Sequence, residues 1–246
     1  MRAEELLRGV AEAESRFDLW SGFLAAAGVR EMAEVGVFRG DYAAAILPRC
    51  ERIDRYYLID PWRHLGGWNK PANRSNDEFD AIYAEAIERT DPWRERRVVL
   101  RGTTTEVIER IPDRALDFVY VDGDHTLRGI AIDLIASYAK VREGGWIGGD
   151  DFCPSIWQHD PSFEPTLVFP FAVHFAEAVG QRIFALPHDQ FLIEKRADGR
   201  FELCDLTGRF GDTSLNRQLG MRPSSPRRSD PRRLARAARR RLRRAL

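Results

Sequence analysis

Residues 116–152 read LDFVYVDGDHTLRGIAIDLIASYAKVREGGWIGGDDF. Asp117 to Val121 is a short apolar run of β-branched and aromatic residues, the pattern of a buried strand. It runs into Asp122, Gly123, Asp124 and His125, a cluster of acids and turn formers. Ile130, Leu134, Ile135 and Tyr138 then recur at helical spacing, and Glu143-Gly144-Gly145 is the expected helix stop. Trp146 to Gly149 is a second strand, delivering Asp150 and Asp151 at its end. Strands joined through a helix lie parallel, and the carboxyl ends of parallel strands share the edge where open α/β sheets bind ligands. Asp122, Asp124, Asp150 and Asp151 are therefore expected to converge.

Working outward toward the N-terminus, Ala33 to Phe38 reads as a strand, Gly36 to Gly40 as a turn and Tyr42 to Leu47 as a helix start. Glycines at such a junction let backbone approach a ligand beside a partly positive helix end. The dinucleotide fingerprint would need glycines at 36, 38 and 41, but the chain has Phe38 and Asp41. Arg55 to Ile59 is another strand, ending in Asp60-Pro61-Trp62. An acid there is placed to accept the ribose hydroxyls of an adenosine ligand, or else to cap the turn before Pro61. Trp62 stacks on adenine or closes the core. Residues 3–28 carry Leu6, Leu7, Val10, Phe17, Trp20, Phe23 and Leu24 at helical period. This is a helix packed on the sheet, or a cap over a ligand.

Residues 63–78 are polar and contain Gly and Pro, the composition of a lid loop at a binding edge. Phe79 to Arg89 is a helix and Val98 to Leu100 a strand, after which Thr105 is the expected helix cap. Beyond Phe152, residues 153–170 form a Pro-broken loop in which His159 is a candidate substrate contact. Phe171 to Val179 is a helix, and Gln181 to Ala185 with Gln190 to Glu194 an antiparallel hairpin. From Gly208 onward core-forming residues thin out, so a single domain over 1–207 and a Gly/Pro/Arg-rich linker and tail over 208–246 are expected.

The chain has 246 residues, 43% apolar and 31% charged, with a formal net charge of zero. The balance hides an asymmetry. Residues 222–246 hold eleven Arg and one Asp, so the remainder is an acidic body. Three scattered cysteines exclude a disulfide framework or a zinc knuckle and fit a reducing cytoplasm. The acidic N-terminus is not that of a secretory signal, and no apolar run reaches the ~20 residues of a membrane span.

Together these features resemble the class I S-adenosylmethionine (SAM)-dependent methyltransferases. Within them they resemble the methyltransferase 24 group, related to the metal-dependent macrolide and aminocoumarin sugar O-methyltransferases. The resemblance rests on Glu34-Val-Gly-Val-Phe-Arg-Gly40, whose Glu-x-Gly-x-x-x-Gly spacing is that of SAM sites, and on Ile59-Asp-Pro-Trp62 and Val121-Asp-Gly-Asp-His125. Asp133-Leu134, Gly144-Gly145, Gly149-Asp-Asp-Phe152 and Phe171-Ala-Val-His-Phe175 add to it. It implies an α/β, Rossmann-like sheet of seven strands, mostly parallel with one reversed, and helices on both faces. It implies SAM held by Glu34, Gly36, Gly40, Asp60, Trp62 and Asp122, and Mg²⁺ or another divalent cation held by Asp122, Asp150 and Asp151. Asp124 matches the general base of the sugar enzymes. His125 departs from their Leu-Tyr and is equally able to take the proton.

The function implied is O-methyl transfer to a sugar or other small polar metabolite. The metal would act as a Lewis acid on a reluctant hydroxyl, and hard oxygen ligands suit Mg²⁺. Clustered carboxylates also raise one another's pKa unless a cation compensates them. The stretch SDPRRLARAARRRLRRAL (229–246) is expected to form a basic helix that lies on an anionic membrane surface, folds back on the acidic body, or binds nucleic acid. An RNA-directed methyltransferase is thus the alternative reading.

Overall fold

The computed structural model describes residues 3–10 and 12–211; the basic tail, with the membrane, body and nucleic-acid roles expected of it, lies outside the described residues. Eight strands form one sheet in the order β3-β2-β1-β4-β5-β7-β6-β8. They are β1 (Glu31–Val35), β2 (Arg55–Asp60), β3 (Arg97–Arg101), β4 (Leu116–Val121), β5 (Val141–Gly149), β6 (Arg182–Leu186), β7 (Gln190–Glu194) and β8 (Glu202–Asp205). Only β7 runs antiparallel to its neighbours. The expected mostly parallel α/β architecture with one reversed strand is present, with β8 as an eighth strand beside β6.

Period-2 alternation splits the sheet residues between two cores. Met32, Tyr56, Leu58, Phe118 and Tyr120 face one layer, made with α1 (Ala3–Arg8), α2 (Arg16–Ala27), α3 (Asp41–Ile46) and α4 (Asn76–Arg89). Ala33, Val35, Ile59, Val119 and Val121 face the other, made with α5 (Thr104–Val107), α6 (Leu127–Lys140) and α7 (Val168–Ala178). Helices thus cover both faces, as a parallel sheet requires. The aromatic core continues through Phe210, whose ring centroid lies 4.8 Å from those of Phe152 and Phe169.

Four local expectations are corrected. The N-terminal helix is two helices, because the chain turns after Arg8 and restarts at Ser15, whose hydroxyl accepts from the Asp18 N–H. Glu143-Gly144-Gly145 does not stop α6, which ends at Lys140; the glycines lie inside β5. Gly144 has φ 76°, and a Cβ on Gly145 would meet the Asp117 carbonyl oxygen at 2.7 Å, so both serve an irregularity in the β4–β5 ladder. Thr103, not Thr105, caps α5, and the Glu106 carboxylate accepts from its backbone N–H. β1 ends at Val35, because Gly36 already has φ 87°.

Among the described residues no helix is long and apolar enough to cross a membrane.

Candidate active site

The ends of β1, β2, β4 and β5 open onto a cavity of about 450 Å³. Of the residues expected at the site, Glu34, Gly36, Asp60, Asp122, Asp124, His125 and Asp151 line it; Gly40, Trp62 and Asp150 do not. Backbone geometry is unusual here. Phe38, Trp62 and Asp151 all have positive φ without being glycine, a strained state that clusters at functional sites. Gly36 cannot be replaced without movement: a Cβ there would sit 2.1 Å from the Asp122 carbonyl oxygen. The glycine turn is therefore pressed against the end of β4.

Asp60 fastens that turn. Its carboxylate accepts from the N–H groups of Val37 (3.0 Å), Phe38 (2.9 Å) and Trp62 (2.7 Å). A carboxylate has roughly four acceptor directions, so three internal bonds leave little for two ribose hydroxyls. These bonds close the turn, and Asp60 also lines the cavity. Trp62 takes the core alternative: it is fully buried, edge-on to Tyr83, and its indole N–H donates to the Phe38 carbonyl at 2.8 Å. Gly40, at φ 79°, starts α3 and packs on Ala86 outside the cavity wall.

Glu34 is buried, and burial pushes its carboxyl well above the usual range, partly opposed by the Tyr56 hydroxyl donating at 2.7 Å. Asp133, nearly two turns into α6, faces Thr104, whose hydroxyl donates to it at 2.5 Å. Burial raises the Asp133 carboxyl to about 7. The sequence reading carried Asp133 as part of a motif without giving it a place in the site.

Asp124 is occupied. It accepts from the Trp68 indole N–H (2.9 Å) and from both the Thr126 N–H (2.9 Å) and hydroxyl (3.0 Å). Trp68 belongs to the expected lid, which is pinned to the loop after β5. There the Lys70 ammonium donates to the carbonyls of Glu164 and Pro165 and to the Thr166 hydroxyl, and Asn69 donates to the Ser162 carbonyl. The two loops roof the cavity together, with His159 in its wall.

The carboxylates converge, but around side chains. His125 Nδ1 lies 2.6 Å from Asp151 Oδ2, and its Nε2 lies 3.5 Å from Asp122 Oδ1, too far to count as bonded. Buried, His125 would be pushed down; the Asp151 hydrogen bond and the charges of Asp151 and Asp122 outweigh this, and its pKa is raised. Two polar atoms of the wall are buried without a partner: His125 Nε2 and the Tyr42 hydroxyl. Buried polar atoms are nearly always paired, so these two are exceptions.

Arg16, from α2, donates to Asp122 Oδ2 at 3.2 Å and also to Asp150. It was missed in the sequence. The available signal is its spacing from Trp20, four residues on and hence on the same helix face. The Trp20 indole N–H donates to Gln190 Oε1 at 2.7 Å, and Gln190 donates in turn to Asp150. The three carboxylates expected to hold a metal have protein partners in this structure. Asp122 and Asp150 point at a guanidinium and Asp151 at an imidazole, and among the described residues no three His, Cys, Asp or Glu side chains are arranged to hold a metal ion.

Residues 33–152 match the family described as "Methyltransferase domain", the methyltransferase 24 family. No curated protein matches the chain. Among solved structures, the chain is similar to a Staphylococcus aureus protein assigned as a caffeoyl-CoA O-methyltransferase (TM-score 0.54, 13% identity, covering 79% of this chain and 93% of that one). It is also similar to an O-methyltransferase from Bacillus cereus in complex with SAH (TM-score 0.51, 15% identity, 78% and 86% covered). At that identity the likeness speaks for the fold. The family match supplies the rest: residues 33–152 match the methyltransferase 24 domain, and with its carboxyl-edge cavity, glycine turn and acid-capped strands the chain is a class I SAM-dependent methyltransferase.

Proposed function

We propose that the chain transfers a methyl group to a hydroxyl of a sugar or another small polar metabolite, with His125 taking the acceptor proton. The observation that carries this reading is the His125–Asp151 pair. Asp151 holds Nδ1 at 2.6 Å, leaving Nε2 as a buried, unpartnered nitrogen in the cavity wall. A base oriented by a carboxylate at one nitrogen, with no hydrogen bond at the other, is an arrangement suited to general-base catalysis; Nε2 lies 3.5 Å from Asp122 Oδ1. Asp124, with its oxygens held by Trp68 and Thr126, is less suited to the task.

When bound, SAM supplies an electrophilic methyl on a positively charged sulfonium. The chain's own contribution is alignment and proton removal. The turn over residues 36–40, fastened by Asp60, gives a close backbone approach. Glu34 and the Tyr42 hydroxyl offer polar groups for the ammonium and carboxylate of the amino-acid end. The roof made by Trp68, Lys70 and the loop after β5 limits water, and holding reactants in line accounts for much of the rate of a displacement. The cavity is small and walled by both polar and aromatic groups, which supports a small acceptor.

A screen with methyl-labelled SAM against sugars, nucleotide sugars and phenols tests the reading. Label in an ether product, lost in His125→Gln, is expected. Label appearing only on nitrogen or on RNA would replace the reading by another.

A further inference from the structure

Clustered carboxylates at a sheet edge call for a compensating cation, and here one is built into the chain. Asp122 and Asp150 end neighbouring strands, β4 and β5. The Arg16 guanidinium is hydrogen-bonded to both. Its own partners hold it there. Trp20, one turn along α2, packs on Gly148, where a Cβ would approach the indole to 2.3 Å, and the same indole is tied through Gln190 to Asp150. The far side of Asp150 is thus fixed by Gln190 and its near side by Arg16. The Asp151 N–H also donates to Asp150 Oδ1 at 2.9 Å. Both oxygens of Asp150 thus have a partner in the protein.

We propose that Arg16 stands where a divalent cation would otherwise be held, and that it is the positioning residue that closes the Asp122–Asp150–Asp151 set to metal. The guanidinium supplies a fixed positive charge and sets the two strand-end carboxylates beside the cavity. One guanidinium nitrogen, Nη1, reaches both carboxylates, and the group stays charged throughout the working pH range. Removing it leaves acids facing one another on adjacent strands, an oxygen-rich group of the kind Mn²⁺ or Mg²⁺ takes. The proposal deepens the methyl-transfer reading of the same cavity, but its test needs no acceptor and no turnover.

The probe is Mn²⁺, followed by the loss of its free-ion electron paramagnetic resonance signal on titration with the full chain. Wild type is expected to leave the free-ion signal unchanged. Arg16→Met is expected to deplete it, binding at least about tenfold more tightly than wild type, and Arg16→Met/Asp150→Asn to restore it. Arg16→Gln, which keeps a neutral amide in place, is the second variant should Arg16→Met fold poorly, as judged by its circular-dichroism melt. Depletion by wild type that Asp150→Asn abolishes would overturn the proposal. So would folded Arg16→Met and Arg16→Gln that bind no better than wild type. SAM calorimetry on the same preparations separates this failure from failure of the methyl-transfer reading.

Discussion

The Trp20 ring lies directly over the backbone of Gly148: a Cβ at that glycine would come within 2.3 Å of the indole and 2.7 Å of the Phe118 ring. This contact sets the height of α2 above the sheet, and with it the reach of Arg16, one turn earlier, to Asp122 and Asp150. Gly148→Ala is expected to destabilise the chain by about 1–3 kcal/mol, the usual cost of overpacking. It should also loosen α2. Chemical denaturation reads the first effect. Faster amide exchange confined to residues 16–27 reads the second, and unchanged exchange there would show that Gly148 does not set the helix.

Gly36 faces a sharper restriction, because both its φ of 87° and the nearby Asp122 carbonyl oppose a side chain. Gly36→Ala is expected to cost about 1–3 kcal/mol from backbone strain alone and to separate the turn from β4. Calorimetry should find SAM binding abolished in this variant at a temperature where circular dichroism shows it still folded. Wild-type affinity in the variant would mean that the turn is not part of the cofactor site.

Asp133 gives a pH signature. Burial raises its carboxyl to about 7, against an ordinary 3.8. The folded chain therefore keeps a proton there that the unfolded chain releases. This contribution to stability is fully present below about pH 4 and is lost as pH rises through about 7, a swing on the order of 4 kcal/mol. Asp133→Asn cannot ionise and should escape the loss. The stability of the variant relative to wild type should rise between pH 5 and pH 8. A constant difference across that range would place the ionisation elsewhere.

His125→Gln removes the proposed base and keeps a side chain of similar reach. The expected outcome is a fall in kcat of about 10²–10⁴-fold, the range for a positioned base, with SAM affinity unchanged. Asp124→Asn should lower activity far less. Equal losses in the two variants would return the base assignment to Asp124.

Much of this fold is legible because its elements are long and periodic. The strand ending at Asp122, α6 and the strand ending at Asp150 follow from alternation and helical spacing, and the convergence of their acids follows from parallel topology. β8 escapes because it is four residues long with no fully buried position. Gly144-Gly145 misleads because a glycine pair after a helix has the same letters as a bulge inside a strand. Asp60 and Trp62 are ambiguous in sequence, since the same residues cap a turn or touch a ligand, and only the three N–H bonds to Asp60 separate the cases. The expectation of a cation among the acids comes from charge alone. The contact of Arg16 with Asp122 and Asp150 is not legible, because it spans 106 and 134 residues of chain, and no local pattern encodes such a pairing.

The claim on which the rest depends is that the cavity at the carboxyl edge holds SAM on the turn that Asp60 fastens. Isothermal titration of SAM into wild type, Asp60→Asn and Asp60→Ala tests it most directly. A single site in wild type is predicted, weakened by Asp60→Asn and abolished by Asp60→Ala. Absence of heat with wild type, or the same affinity in all three proteins, would contradict it.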